Sequence, residues 1–173
     1  MITIIVAVIL LALLALLLFA ATRPGAFRVF RTASIKAPAG RIYPLIEDFH
    51  AWGAWSPYEK LDPEMRKTFE GSPRGKGAVY KWEGAKAGAG RMEITDTEAP
   101  ERVTIRLDFS KPFVAHNIAE FTLEPAGDST NVTWAMTGRT PFMMKVMGLF
   151  FSMDRLVGKD FESGLQSLKT QAE

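Results

Sequence analysis

The spacing of apolar residues changes twice along the chain. From Ile2 to Ala21 every residue except Thr3 is apolar and none is charged. At ~1.5 Å per residue such a stretch spans the ~30 Å hydrocarbon core of a bilayer, and it lacks the polar face of a soluble amphipathic helix. It predicts an anchor over residues 1–22, ahead of a soluble domain over 23–173. A cleaved signal peptide is the rival reading. Against it, the run exceeds the usual h-region of about 7–15 residues, and Leu18 and Phe19 stand where cleavage sites ending at Ala20 and Ala21 need small residues.

After Pro24-Gly25 the period falls to two. Val29, Ala33 and Ile35 share one register, with Phe30 outside it, and predict a strand over Phe27 to Ile35. Pro38 to Phe49 interrupts with Ile42, Leu45, Ile46 and Phe49 at helical spacing, a short amphipathic helix that Pro44 bends or divides. Alternation then resumes: Tyr80 and Trp82; Met92 and Ile94; Val103, Ile105, Leu107 and Phe109; Ala119, Phe121 and Leu123; Val132, Trp134 and Met136. Short glycine-bearing turns join these strands, so they predict an antiparallel sheet of six or seven strands with one apolar face.

From about Pro141 to Ala172 the helical period returns. Met143, Met147, Phe150, Val157, Phe161, Leu165 and Leu168 form one stripe of a single long helix. This is the element long enough to cover the sheet. Its first half is apolar nearly all round, and Phe142, Leu149 and Leu156 form a second line facing away from the stripe. Phe142 and Leu149 are therefore expected to contact the bilayer, with loop or subunit coverage as the alternative.

Composition narrows the chemistry. No cysteine is present, so disulfides, thiolate metal sites and cysteine nucleophiles are excluded. The net charge of +2 comes without a basic stripe, so no nucleic-acid partner is expected. Arg23, Arg28, Arg31 and Lys36 follow the anchor and none precedes it, which favours a cytoplasmic domain unless these charges belong to the first strand. The expected location is a membrane crossed once, the inner membrane of a bacterium, with the side of the domain open.

The blocks around Trp52-Gly53-Ala54-Trp55-Ser56-Pro57-Tyr58, Gly77 to Gly84, Gly88 to Ile94, Thr130 to Trp134 and Val157 to Leu165 resemble the SRPBCC superfamily, closest to its polyketide cyclase/dehydrase-like branch. The resemblance covers essentially all of the soluble part. It implies an α+β helix-grip fold, in which a curved antiparallel sheet wraps a long C-terminal helix, and a cavity for an apolar ligand. The superfamily holds binding proteins, lipid carriers and enzymes, so it does not fix a reaction.

The residues expected to line that cavity are Trp55, Tyr80, Trp82, Met92, Leu107, Phe109, Asn117, Phe121, Trp134 and Met136, with Met143, Met147 and Phe150 from the helix. Trp52, Trp55 and Tyr58 form either a lid or a core plug, and Asn117 and Tyr80 are the polar exceptions on the sheet face. No Gly-x-Ser-x-Gly elbow and no metal-ligand spacing of histidines occurs, so no catalytic residue is assigned and no metal or cofactor is expected. Gly71 to Gly77 lacks the phosphate-loop spacing and reads as a hairpin loop; the sequon Asn131-Val132-Thr133 falls inside a strand. Inward carboxylates or histidines would favour catalysis, with Tyr80, Glu120 or Asn117 assisting proton transfer. Strand parity places Glu93, Asp108, His116 and Glu120 outside. The favoured expectation is a membrane-anchored binder of a hydrophobic small molecule or lipid. A cyclase- or dehydrase-like enzyme and an interaction module with a filled core are the alternatives.

Overall fold

The structure, a computed structural model, describes residues 1–149 and 152–173 and, for Met153 and Leu156, the backbone. The apolar run forms helix α1 (Ile2–Ala21). Strand β1 (Ala26–Ile35) follows, then α2 (Ala39–Glu47) with Pro44 inside it, a 3-10 turn (Phe49–Ala54) and the short α3 (Pro57–Leu61). The next six strands are β2 (Arg66–Gly71), β3 (Ala78–Gly84), β4 (Gly88–Glu98), β5 (Arg102–Lys111), β6 (Ala115–Ala126) and β7 (Ser129–Arg139). Two helices close the chain, α4 (Phe142–Met147) and α5 (Met153–Ala172).

The strands form one antiparallel sheet in the order β1-β7-β6-β5-β4-β3-β2. The chain meanders from β2 to β7, and β1 joins at the far edge beside β7. Register shifts in β4, between Ala89 and Gly90 and between Ile94 and Asp96, accompany the curl of the sheet, since an extra residue in one strand sharpens its bend and twist. The concave face receives α5. Phe161, Leu165 and Leu168 are buried against Val29, Ile35, Val132 and Trp134, and the packing is one contiguous core. This is the α+β helix-grip architecture.

Polar contacts fix α5 in place. Arg31 on β1 donates to Asp154 Oδ1 and Oδ2 at 2.8 and 3.0 Å and to Glu162 Oε1 at 2.6 Å, one guanidinium gripping two turns of the helix. Trp134 lies flat on Phe161 with ring centroids 4.1 Å apart. Gly164 permits this closeness, for a Cβ there would stand 2.7 Å from the Trp134 ring and 3.0 Å from Pro57.

One expectation changes and another narrows. The single terminal helix is two: α4 ends at Gly148, a poor helix former, and α5 starts afresh behind Ser152 with Asp154 in its first turn, where a negative charge suits the helix dipole. Met143 and Met147 therefore leave the stripe that packs on the sheet. Strand β2 is the seventh, and no period-two pattern announced it because all its positions are exposed.

Candidate functional site

Between the concave face and α5 a cavity of about 330 Å³ remains. Its apolar wall comes from strands in which every second side chain points inward: Trp82 on β3, Met92 on β4, Leu107 and Phe109 on β5, Ala119 on β6, Trp134 and Met136 on β7. Val157 and Phe161 of α5 close it opposite. Local sequence opens room for the largest group. Gly90 sits under the Trp82 ring, where any Cβ would collide with Cζ2 and Cη2, and the Trp82 indole donates to Ala87 O at 3.2 Å.

The polar groups come from elsewhere. Glu59 on α3, its side chain 7% exposed, accepts a 2.6 Å hydrogen bond from Tyr80 Oη and pairs with Lys67. Asp160 reaches the cavity from α5. Burial raises the Asp160 carboxyl above the usual range because it disfavours the charged form. Burial, and then the hydrogen bond to Glu59, push the Tyr80 phenol up, while burial and the Asp160 charge do the same for Tyr58. Both phenols are neutral donors and acceptors at physiological pH. The Trp134 indole N–H is buried without a hydrogen-bond partner among the described residues.

At the rim, Leu61 and Lys86 are exposed. Asp62 is buried there and accepts from the backbone N–H of Lys86 and Ala87 at 2.8 and 3.2 Å, which holds the β3–β4 hairpin over the opening. Those two bonds also keep its carboxyl below the usual range. A side chain at Gly84 would collide with this carboxylate.

Seven residues named from sequence line this cavity: Tyr80, Trp82, Met92, Leu107, Phe109, Trp134 and Met136. Others do not. Trp55 is fully buried, donates to Leu45 O at 2.8 Å and packs edge-on to Phe121 and Trp134, a plug in the core. Phe121 is also fully buried, stacked behind Trp134 at 4.9 Å. Asn117 is buried but lies at the end of β6 facing Gly138, its amide against Met136 Sδ at 3.7 Å and outside the cavity. Met143 and Met147 stand exposed on α4, because the helix break turns them away. Phe150 lies outside the described residues. Phe142, on α4 beside α1, is 50% exposed, and Leu149 is half-buried.

Strand parity holds for His116, which is exposed and bonds Asp108 at 2.7 Å, and His50 stacks on Phe69 away from the cavity. Parity says nothing about helices, however, and two carboxylates, Glu59 and Asp160, do face inward from them. For Asp160 a signal existed: it lies three residues after Val157 and four before Gly164, on the shoulder of the buried stripe. For Glu59, on a five-residue helix with no buried residue, no periodic signal existed.

Residues 26–173 match the sequence model of the family described as polyketide cyclase / dehydrase and lipid transport. The chain belongs to this family. Solved structures agree on the fold of the polyketide cyclase / dehydrase and lipid transport domain. Protein CV1439 from Chromobacterium violaceum is 16% identical, with a TM-score of 0.60, over 87% of this chain and 99% of its own. Ginseng major latex-like protein 151 from Panax ginseng is 14% identical, with a TM-score of 0.61, over 87% and 99%. The Aha1 dimer from Colwellia psychrerythraea is 15% identical, with a TM-score of 0.61, over 85% and 96%. A search of curated protein sequences returned no match.

Proposed function

We propose that the chain is a membrane-anchored binding protein for a hydrophobic small molecule or lipid, with residues 1–22 as its anchor and 23–173 as its ligand-binding domain. The cavity carries this reading. Its volume of about 330 Å³ is at the lower end for small-molecule sites, suited to one fused-ring compound or part of one acyl chain. An apolar wall supplies affinity, and the Tyr80–Glu59 pair and Asp160 supply orientation. The family's description, which includes lipid transport, supports the same ligand class. Helix α1 supports an anchor, being 20 residues long with mean hydropathy 3.4.

Native mass spectrometry of the full chain released from nanodiscs tests the reading. One hydrophobic molecule per chain is expected; a chain that is empty and binds no added apolar probe would overturn it.

A second reading, a cyclase- or dehydrase-like enzyme, is favoured by one observation: Glu59 and Asp160 both face the cavity. Asp160, held toward its protonated form, would give a proton to a carbonyl oxygen, and Glu59 would accept one through Tyr80. Acceleration of the cyclisation of a poly-β-ketone probe, lost in Asp160→Asn, is the expected result; no acceleration would leave binding alone.

A further inference from the structure

The anchor is built into the domain. Ala20 is fully buried, α4 packs against α1, and β1 begins at Ala26, soon after α1 ends at Ala21. Beside this junction lies a second concavity, a groove of about 500 Å³. Arg23 and Arg28 line it from the link and from β1, Arg139 from the end of β7 and Lys145 from α4, with Met144 and Met147 along one side.

Its charge is uncompensated. Arg23, Arg28, Arg139 and Lys145 make no ion pair among the described residues, whereas Arg31, Arg91, Arg102 and Arg106 each do. Asp154, the one acid on the groove wall among the described residues, is engaged by Arg31. Two of the free guanidiniums are steadied by aromatic rings, Arg23 over Phe19 and Arg28 over Phe30, each 4.8 Å from the ring centroid. All four residues contribute to the lining of one concavity, and an anion bound there would give positive charge a partner.

We propose that this groove binds the headgroup phosphate of an anionic phospholipid in the leaflet where α1 leaves the bilayer. Guanidinium forks match a phosphate's oxygens in pairs. The groove opens where the apolar helix ends, at headgroup depth, and Met144 and Met147 offer adaptable apolar contact to the start of the acyl chains. Clustered basic residues next to a span favour anionic over zwitterionic lipid. The inference rests on α1 crossing a bilayer and is independent of what fills the cavity.

The test uses the full chain in nanodiscs, with phosphatidylglycerol and phosphatidylcholine of identical acyl chains competing, and native mass spectrometry counting retained lipids. Retention of phosphatidylglycerol is expected to exceed that of phosphatidylcholine by about tenfold. The double variant Arg28→Gln/Arg139→Gln is expected to lose the preference with thermal unfolding unchanged, and Arg23→Gln/Lys145→Gln serves if the first does not fold. Equal retention of the two lipids, or a preference that survives both variants, would overturn the proposal. Displacement of the lipid by millimolar inorganic phosphate would assign the groove to the free anion instead and overturn the lipid. Carbonate extraction separates the premises: release from membranes refutes the span and this site together, while a retained chain without preference refutes the site alone.

Discussion

Replacing Ala119 by Leu separates a cavity from a filled core through the sign of one number. Ala119 sits at the middle of β6, opposite Ile105 on β5 and Met136 on β7, with its methyl on the cavity wall. Leucine adds three carbons there. At ~0.8 kcal/mol per buried methylene the added burial is worth about 2.4 kcal/mol, from which lost rotamer freedom subtracts ~0.5–1 kcal/mol. An empty site therefore gains about 1.5–2 kcal/mol, a rise in Tm of about 3–8 °C for a domain of this size. A filled site would instead lose ~1–3 kcal/mol to overpacking. The same side chain takes ligand volume, and the loss of two methylene contacts at ~0.8 kcal/mol each weakens binding about tenfold.

Thermal unfolding followed by near-ultraviolet circular dichroism reads the first effect, since Trp52, Trp82 and Trp134 all border the cavity. Retention of the co-purified molecule by native mass spectrometry reads the second. Higher stability with weaker retention is the expected pair. A fall in the Tm of protein stripped of its ligand would refute the cavity, and with it the binding function argued from its walls; in loaded protein the loss of ligand lowers Tm by itself.

The two glycines of α5 should respond oppositely to alanine although helix propensity favours both changes by about 1 kcal/mol. Gly164→Ala drives a methyl into the Trp134 ring and Pro57, and overpacking at ~1–3 kcal/mol lowers Tm. Gly158→Ala meets the end of the Arg31 side chain, which can swing away from its exposed partners, and Tm holds or rises; calorimetry on the two variants decides. For Asp160, whose folded carboxyl is raised by burial, the native state binds more protons than the unfolded state, so stability falls as pH rises from the ordinary carboxyl range through the folded value. Asp160→Asn should accordingly be more stable than wild type at pH 7 and lose that advantage near pH 3, as denaturant titrations at the two pH values would show.

How much of the molecule could be read in advance follows from which elements carry a repeat. Strands β3 to β7 each bury one face of the curved sheet, so alternation pointed to seven residues, from Tyr80 to Met136, that line one cavity. Alternation reports the face, not the depth. Phe121 and Asn117 share the inward face, yet one lies behind Trp134 and the other at the end of its strand. Strand β2 buries no face and left no signal. The break after Met147 was hidden because apolar residues continue across it, and hydrophobic spacing alone cannot distinguish one long helix from two.

The largest omission bears on function. Counting inward carboxylates along the strands gives none, but Glu59 and Asp160 enter from α3 and α5. The division of labour has a physical reason. A charged side chain on the concave face of a central strand would be flanked by neighbouring strands and would bear a large desolvation cost. From a helix, a carboxylate can enter the cavity already paired, as Glu59 is with Tyr80 and Lys67. Strands thus set the size and apolarity of the cavity, and the helices at its mouth set its chemistry. The choice between binding and catalysis in this chain turns on Glu59 and Asp160, because among the described residues no strand residue on the cavity wall bears a carboxylate or an imidazole.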